Sequence, residues 1–173
     1  GITPYAEATA LYEQGLYAAA IDKLFQQLEH DKSHGVTSGT AMALLARSYA
    51  NRGMLDQALE WAEKTIAIDK LNSDYHYLYG TILQEQGRLD EAIVSLRRAV
   101  FLEPNFVVAH FALGNIARQK GREKDADRHY RIALKILSDY DEQAPVPASE
   151  GMTAGRLIHM ILAMTSKEIP HEK

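Results

Sequence analysis

The chain has 173 residues, of which 46% are hydrophobic and 24% are charged, a balance typical of a folded globular protein. Its net charge of −4 gives no general attraction for DNA or RNA, and the absence of cysteine excludes disulfides and thiolate chemistry. No apolar run reaches the ~18 residues that a membrane span needs, and no signal peptide opens the chain. We therefore expect a cytoplasmic protein without membrane insertion. The first residue is Gly1, which favours a cloned or processed fragment.

The first predicted repeat occupies residues 1–34. Its first helix is expected over about 4–14, because a proline at the first position is permitted there, and its second helix over about 17–30. The following residues, 31–38, read DKSHGVTS. They make the distance to the second repeat four residues longer than the 34-residue period of the later repeats. Glycine, serine and threonine are typical of loops, so we expect this insertion to project as a surface loop before Gly39.

Small residues recur with a fixed period along the rest of the chain. Positions 34 residues apart are Ala46, Gly80 and Gly114, then Gly53, Gly87 and Gly121, then Ala58, Ala92 and Ala126. Such a period is the signature of a helical repeat array, and apolar residues three and four apart indicate helices. The predicted fold class is all-α: a right-handed α-solenoid of about four helix-turn-helix units (1–34, 39–72, 73–106 and 107–140) plus a C-terminal capping helix.

The small residues have a predicted mechanical role. At Gly80 and Ala92, and at their equivalents, the paired helices are expected to cross too closely for larger side chains. Gly87 is expected to end its first helix in the left-handed conformation, where a glycine has no Cβ clash. Pro104 is expected to stop the second helix before the next unit begins.

The period ends after residue 140. Residues 141–152 contain two prolines, acidic residues and a glycine, and are predicted to form an extended, proline-rich connector. Residues 153–173 are predicted to be a capping helix and tail, with Thr153 as the N-cap and the helix ending near Ser166. One predicted apolar stripe comprises Leu157, Met160, Ile161 and Met164, and it is widened by Ile158, Leu162 and Thr165. A stripe this broad either lies in a deep groove or meets another subunit or domain.

The unit 73–106 resembles a tetratricopeptide repeat (TPR). It carries the family's pattern of large, small and turn-forming residues, with His76 where an aromatic residue is usual: Tyr79, Gly80, Leu83, Gly87, Ala92, Leu96, Ala99 and Pro104. The resemblance covers nearly all of residues 1–140 and implies that the first helix of each unit lines a concave binding surface.

The repeat register selects the candidate residues of this surface. The predicted partner-binding groove comprises Tyr5, Thr9, Tyr12, Arg47, Asn51, Tyr77, Thr81, Gln84, Phe111, Asn115, Arg118 and Gln119, with Ala43, Ala50 and Glu85 at neighbouring positions. Aromatic rings beside amides and arginines suit an extended peptide or a partner helix. The alternative is that these are ordinary half-buried residues of the inner helices. The carboxylate clamp of chaperone-binding relatives is not matched, since its positions hold Tyr5, Thr9, Leu44, Asp74 and Leu78.

A second resemblance lies at the end of the chain. The segment 151–157 reads GMTAGRL and follows the last repeat and a proline-rich connector. This arrangement is similar to the C-terminal region of bacterial chemotaxis receptor methyltransferases of the CheR type that carry TPRs. The resemblance implies a chemotaxis signal-transduction parent, an S-adenosylmethionine-dependent protein-glutamate methyltransferase whose catalytic domain would precede this chain.

No set of residues nominates chemistry in the chain itself. It has no glycine-rich nucleotide loop and no nucleophile–base spacing, so we predict no catalytic residues, no cofactor and no enzyme activity. His30 and His34 are spaced for a metal on a helix, but Ser33 and Gly35 place them at a fraying end, and no metal site is predicted. His76 and His110 occupy the same repeat position, which favours a packing role.

The leading prediction is a protein-interaction scaffold, the TPR region of a chemosensory receptor-methylating enzyme. Its expected partner is a protein or peptide, such as a chemoreceptor, a signalling protein or the parent's own catalytic domain. Mixed charges on the second helices indicate a solvated outer face and no nucleic-acid partner. The alternative is a structural or oligomerisation domain, a homodimer joined through the C-terminal helix.

Overall fold

A computed structural model describes residues 1–166, with only the backbone of Ser166, and these residues form α-helices joined by turns and loops. Residues 1–95 form one compact unit and the residues from Leu96 onward form a second. The helices are α1 (Pro4–Glu13), α2 (Tyr17–Ser33), α3 (Gly39–Asn51), α4 (Leu55–Ile68), α5 (Ser73–Glu85), α6 (Leu89–Leu102), α7 (Val107–Gln119), α8 (Glu123–Leu137) and α9 (Ala154–Ser166). The predicted end of the repeat array at residue 140 and the predicted end of the connector at residue 152 stay predictions. The predicted tail after Ser166 lies outside the described residues.

Polar side chains cap α1 and α3 in the first unit, and α1 also begins with a proline. The Ala6 amide donates to Thr3 Oγ1 at 3.1 Å, and Pro4 follows in the first turn, as predicted. The Ala41 amide donates to Ser38 Oγ at 3.2 Å at the start of α3. These caps satisfy amides that have no partner inside the helix.

A glycine ends each of the helices α1, α3, α5 and α7. Gly15, Gly53, Gly87 and Gly121 have φ angles of 73–78°, in the left-handed region. At the end of α5 the Gly87 amide donates to Gln84 O at 3.0 Å and the Arg88 amide donates to Leu83 O at 2.9 Å. This is the Schellman arrangement, and it confirms the role predicted for Gly87.

Small residues allow close packing within each unit. In the first unit Ala46, Ala58 and Ala62 are completely buried in one cluster. In the second unit a Cβ on Gly114 would lie 2.6 Å from the ring of Tyr130, so the two helices approach too closely there for any side chain. The close approach predicted for this repeat position is confirmed at Gly114.

The segment between α2 and α3 differs from its prediction. Helix α2 continues to Ser33, beyond the predicted end near residue 30, so three residues of the segment 31–38 lengthen the helix and only residues 34–38 form the loop. Asp31 is buried there and accepts a hydrogen bond from Gln27 Nε2 at 2.9 Å. Gly35, with φ of 67°, then closes the helix through a Schellman arrangement in which the Val36 amide donates to Asp31 O at 2.8 Å.

The proline-rich segment after α8 is a closed loop, which corrects the prediction of an extended connector. Pro145 and Thr153 form an isolated antiparallel bridge, and the Val146 amide donates to Met152 O at 2.9 Å. Between them Ala148 and Glu150 have positive φ angles of 62° and 58°. Composition predicted an irregular segment. It does not encode which residues of the segment pair through the hydrogen bonds that close the loop.

Helix α9 contacts α8. Its N-terminus is capped as predicted, with the Arg156 amide donating to Thr153 Oγ1 at 3.3 Å. Leu157 and Ile161 are buried, whereas Met160 is 37% exposed and Leu162 is 50% exposed. The buried face is therefore narrower than the predicted stripe. In the part of the chain that the structure describes, no helix is both long enough and apolar enough to span a membrane.

Candidate partner-binding face

The helices α1, α3 and α5 lie beside one another in the first unit, because α3 contacts both α1 and α5. All three end at a left-handed glycine, so their residues keep a common register. The repeat register therefore predicts that their outward side chains form rows across the three helices. We call these side chains the first-helix face, which comprises the predicted residues Tyr5, Thr9, Tyr12, Arg47, Asn51, Tyr77, Thr81 and Gln84 together with Glu85.

Hydrogen bonds fix part of this face in place. Asn51 Nδ2 donates to the Tyr12 hydroxyl at 3.1 Å and to Arg47 O at 2.9 Å, which links α1 to α3. The Tyr12 ring also meets Tyr17 edge-on at 5.3 Å between centroids. Both amide hydrogens of Asn51 are thus used, which leaves its side chain only the oxygen, an acceptor, for further hydrogen bonds.

The two threonines of the face donate to their own helices. Thr9 Oγ1 donates to Tyr5 O at 3.0 Å, and Thr81 Oγ1 donates to Leu78 O at 2.9 Å. Their hydroxyl hydrogens are therefore already bonded, and they offer a methyl group and an acceptor to anything that lies over them.

Tyrosines on the other sides of α5 hold the helix in position. The Tyr75 ring lies against Gly39, where it leaves no room for a Cβ, and burial raises the pKa of its hydroxyl. The Tyr79 hydroxyl donates to Glu63 Oε1 at 3.0 Å, and burial, followed by this hydrogen bond, raises its pKa. Both phenols stay protonated at neutral pH, so they act as fixed packing and donor groups.

Arg47 occupies the middle of the three helices. Its side chain is half-buried, and no carboxylate among the described residues pairs with it. A half-buried guanidinium carries five donors that a carboxylate fits in a bidentate manner. The guanidinium of Arg47 therefore has donors that no carboxylate of the described residues uses.

The predicted residues of α7 lie in the second unit and make internal contacts. Asn115 Oδ1 accepts a hydrogen bond from the Tyr130 hydroxyl at 2.7 Å, and the Phe111 ring lies 6.1 Å from that of Tyr130. Arg118 Nη1 donates to Met164 O in the last turn of α9 at 2.8 Å, where a helix leaves carbonyls without partners. Gln119 is exposed. These contacts were missed in the sequence because Tyr130 and Met164 belong to later helices.

The histidines at the equivalent repeat positions hold the turns before their helices. His76 Nε2 bonds Lys70 O at 2.7 Å, and His110 Nε2 bonds Pro104 O at 2.9 Å. Both rings are buried, which confirms the predicted packing role and adds a hydrogen bond to a carbonyl six residues earlier.

The other histidine pair of the sequence lies on the surface. The rings of His30 and His34 are 4.4 Å apart, and His34 Nδ1 bonds His30 O at 2.9 Å. Across residues 1–166 no group of three or more potential metal ligands comes together.

Three overlapping family models match the middle of the chain. Two are described as tetratricopeptide repeat, at residues 39–64 and 61–94, and one as TPR repeat, at residues 80–121. No curated protein sequence matches the chain significantly.

Several solved structures share the fold. The crystal structure of MamA protein has a TM-score of 0.68 at 21% identity over 78% of this chain and 72% of that one. MamA from residue 41 to the end, from Desulfovibrio magneticus RS-1, has a TM-score of 0.70 at 22% identity over 80% and 76%. YrrB, described as a TPR protein with an unusual peptide-binding site, has a TM-score of 0.70 at 17% identity over 95% and 73%. The predicted all-α repeat fold is confirmed, and the chain contains a tetratricopeptide repeat domain.

Proposed function

We propose that the chain is a protein-interaction module that binds an extended peptide, or an extended segment of a partner protein, on the first-helix face. The observation that carries this proposal is Arg47, half-buried at the centre of the face without an acidic partner among the described residues. Tyr12 and Tyr77 supply rigid ring surface beside it, and the amides offer bonds to a peptide backbone. YrrB, with the same fold, is described as having a peptide-binding site.

The test uses peptides selected from a random displayed library on the full chain, with affinities measured by fluorescence anisotropy. We expect Arg47→Ala and Tyr77→Ala each to weaken binding by about tenfold or more, as central contacts of an interface do. Arg98→Ala and Phe101→Ala are the matched controls, because both residues are exposed on the second helix α6. Unchanged affinity in both face variants would contradict the proposal.

The finer assignment is that this chain is the TPR region of a cytoplasmic chemotaxis methyltransferase in a bacterium. The GMTAGRL segment at 151–157, directly after the last repeat, supports it by resemblance. Locally the segment has a structural role: the Gly155 amide donates to Glu142 O at 2.9 Å, and a Cβ there would lie 3.1 Å from the same oxygen. The coding sequence upstream of Gly1 tests the assignment, because the proposal requires an S-adenosylmethionine-dependent methyltransferase domain there.

A second candidate function is self-association through α9, and the exposed Leu162 and Met160 favour it. Under the leading proposal we expect light scattering to give the monomer mass at every concentration. A mass that doubles with concentration, and that Leu162→Glu returns to the monomer value, would establish the second candidate instead.

A further inference from the structure

Two charged side chains of the first-helix face lack an opposite charge. Arg47 on α3 is half-buried and Glu85 at the end of α5 is exposed, and neither forms an ion pair within the described residues. Glu85 is nevertheless partly desolvated, because burial by its surroundings raises the pKa of its carboxyl group. Arg47 is therefore positioned where a partner of opposite charge would replace lost hydration, and Glu85 offers an unpaired carboxylate at the end of α5.

The register of the helices fixes the spacing of these two charges. Arg47 is at the repeat position of Thr81, 34 residues later, and Glu85 lies one helical turn beyond Thr81. Neighbouring helices are about 10 Å apart and one turn rises about 5–6 Å, so the two positions are roughly 12 Å apart. In an extended chain, residues i and i+4 point to the same side and are about 13 Å apart.

The remaining charges near the face disfavour a uniformly charged partner. Glu13 and Asp74 lie at the end of α1 and the start of α5, and both are exposed. A polyacidic segment would be repelled by these carboxylates, and a polybasic segment would meet Arg47 at the centre. A segment carrying one charge of each sign is complementary to this pattern.

We propose that the first-helix face selects an extended segment with an acidic side chain over Arg47 and a basic side chain over Glu85, about four residues apart. This specificity rests on the proposed function, because it concerns the same face. The segment runs across α3 and α5, where the side-chain oxygen of Asn51 is an acceptor for its backbone amides.

The experiment is a selection of random displayed 12-residue peptides on the full chain. We expect enriched peptides to pair one acidic with one basic residue about four positions apart. Replacing either charge of a selected peptide by alanine should weaken binding by about tenfold, and replacing both by about a hundredfold. The double variant Arg47→Glu, Glu85→Lys should prefer peptides in which the two charges are exchanged.

The controls separate the two levels of the proposal. Arg98→Glu, an exposed change on α6, should keep the wild-type preference, and circular dichroism checks that each variant is folded. This inference would be wrong if the enriched peptides lacked the charge pair, or if the double variant did not reverse the preferred order of the two charges. Either result would still be consistent with peptide binding on this face. Failure to enrich any peptide sequence would overturn both.

Discussion

Replacing Gly114 by alanine is expected to destabilise the chain by about 1–3 kcal/mol, because the new methyl group has no space. An added Cβ would lie 2.6 Å from Cε1 and 2.8 Å from Cδ1 of Tyr130. The ring cannot swing away, since Tyr130 is completely buried and its hydroxyl donates to Asn115 Oδ1 at 2.7 Å. Urea denaturation followed by circular dichroism measures the change in the free energy of unfolding.

The sign of this effect is informative because helix propensity acts in the opposite direction. Inside a helix, alanine is more favourable than glycine by about 1 kcal/mol, so an uncrowded site would be stabilised by the change. We therefore expect Gly114→Ala to become neutral or stabilising in a Tyr130→Leu background, where the ring is gone. Equal destabilisation in both backgrounds would show that the ring is not the cause.

Close packing at Gly114 could be predicted from the sequence because it depends on a periodic position. A position that recurs every 34 residues lies at the same helix crossing in each repeat, so small residues there indicate close approach of the two helices. The glycines that end the first helices were predictable for the same reason, since each needs only its local backbone conformation. Periodicity thus gave the fold class and the register of the first-helix face.

The features that the sequence did not predict depend on specific contacts that neither composition nor the repeat period encodes. Helix α2 extends to Ser33 because Gly35 and Val36 close it one turn later than composition indicated. The loop after α8 closes because Pro145 pairs with Thr153. Arg118 was predicted in the groove, but its bond to Met164 O comes from α9, which lies outside the repeat pattern.

A buried histidine pair in the second unit is expected to make the chain sensitive to acid. The rings of His110 and His129 are 5.9 Å apart, and the Nδ1 atom of each is buried without a hydrogen-bond partner. Burial, then the charges of Arg128 and His110, lower the pKa of His129 to about 4; Asp125 opposes them, and Arg97 adds a smaller lowering. Burial also lowers the pKa of His110.

The direction of the effect follows from proton linkage. Below pH 6.5 the unfolded chain binds a proton at His129 that the folded chain does not take up until the pH approaches about 4. The stability due to a neutral His129 is therefore complete above pH 6.5 and is lost as the pH falls from 6.5 to 4. A depression of this size corresponds to about 3 kcal/mol.

His129→Ser is the variant that isolates this contribution. Ser95 holds the same position one repeat earlier, where its hydroxyl donates to His76 O at 2.7 Å, so a serine suits the site. We expect the free energy of unfolding of the variant to fall less between pH 6.5 and pH 4, with a difference of about 3 kcal/mol from the unmodified chain.

His34→Ser is the matched control, because His34 is exposed on the surface of the first unit and should leave the pH dependence unchanged. NMR titration gives an independent measurement, in which the His129 imidazole should remain neutral well below pH 6. Two results would contradict this explanation: a His129 that titrates near 6.5, or a loss of stability with falling pH that is the same in His129→Ser and in the unmodified chain. Either result would mean that the folded chain accepts the proton as readily as the unfolded one.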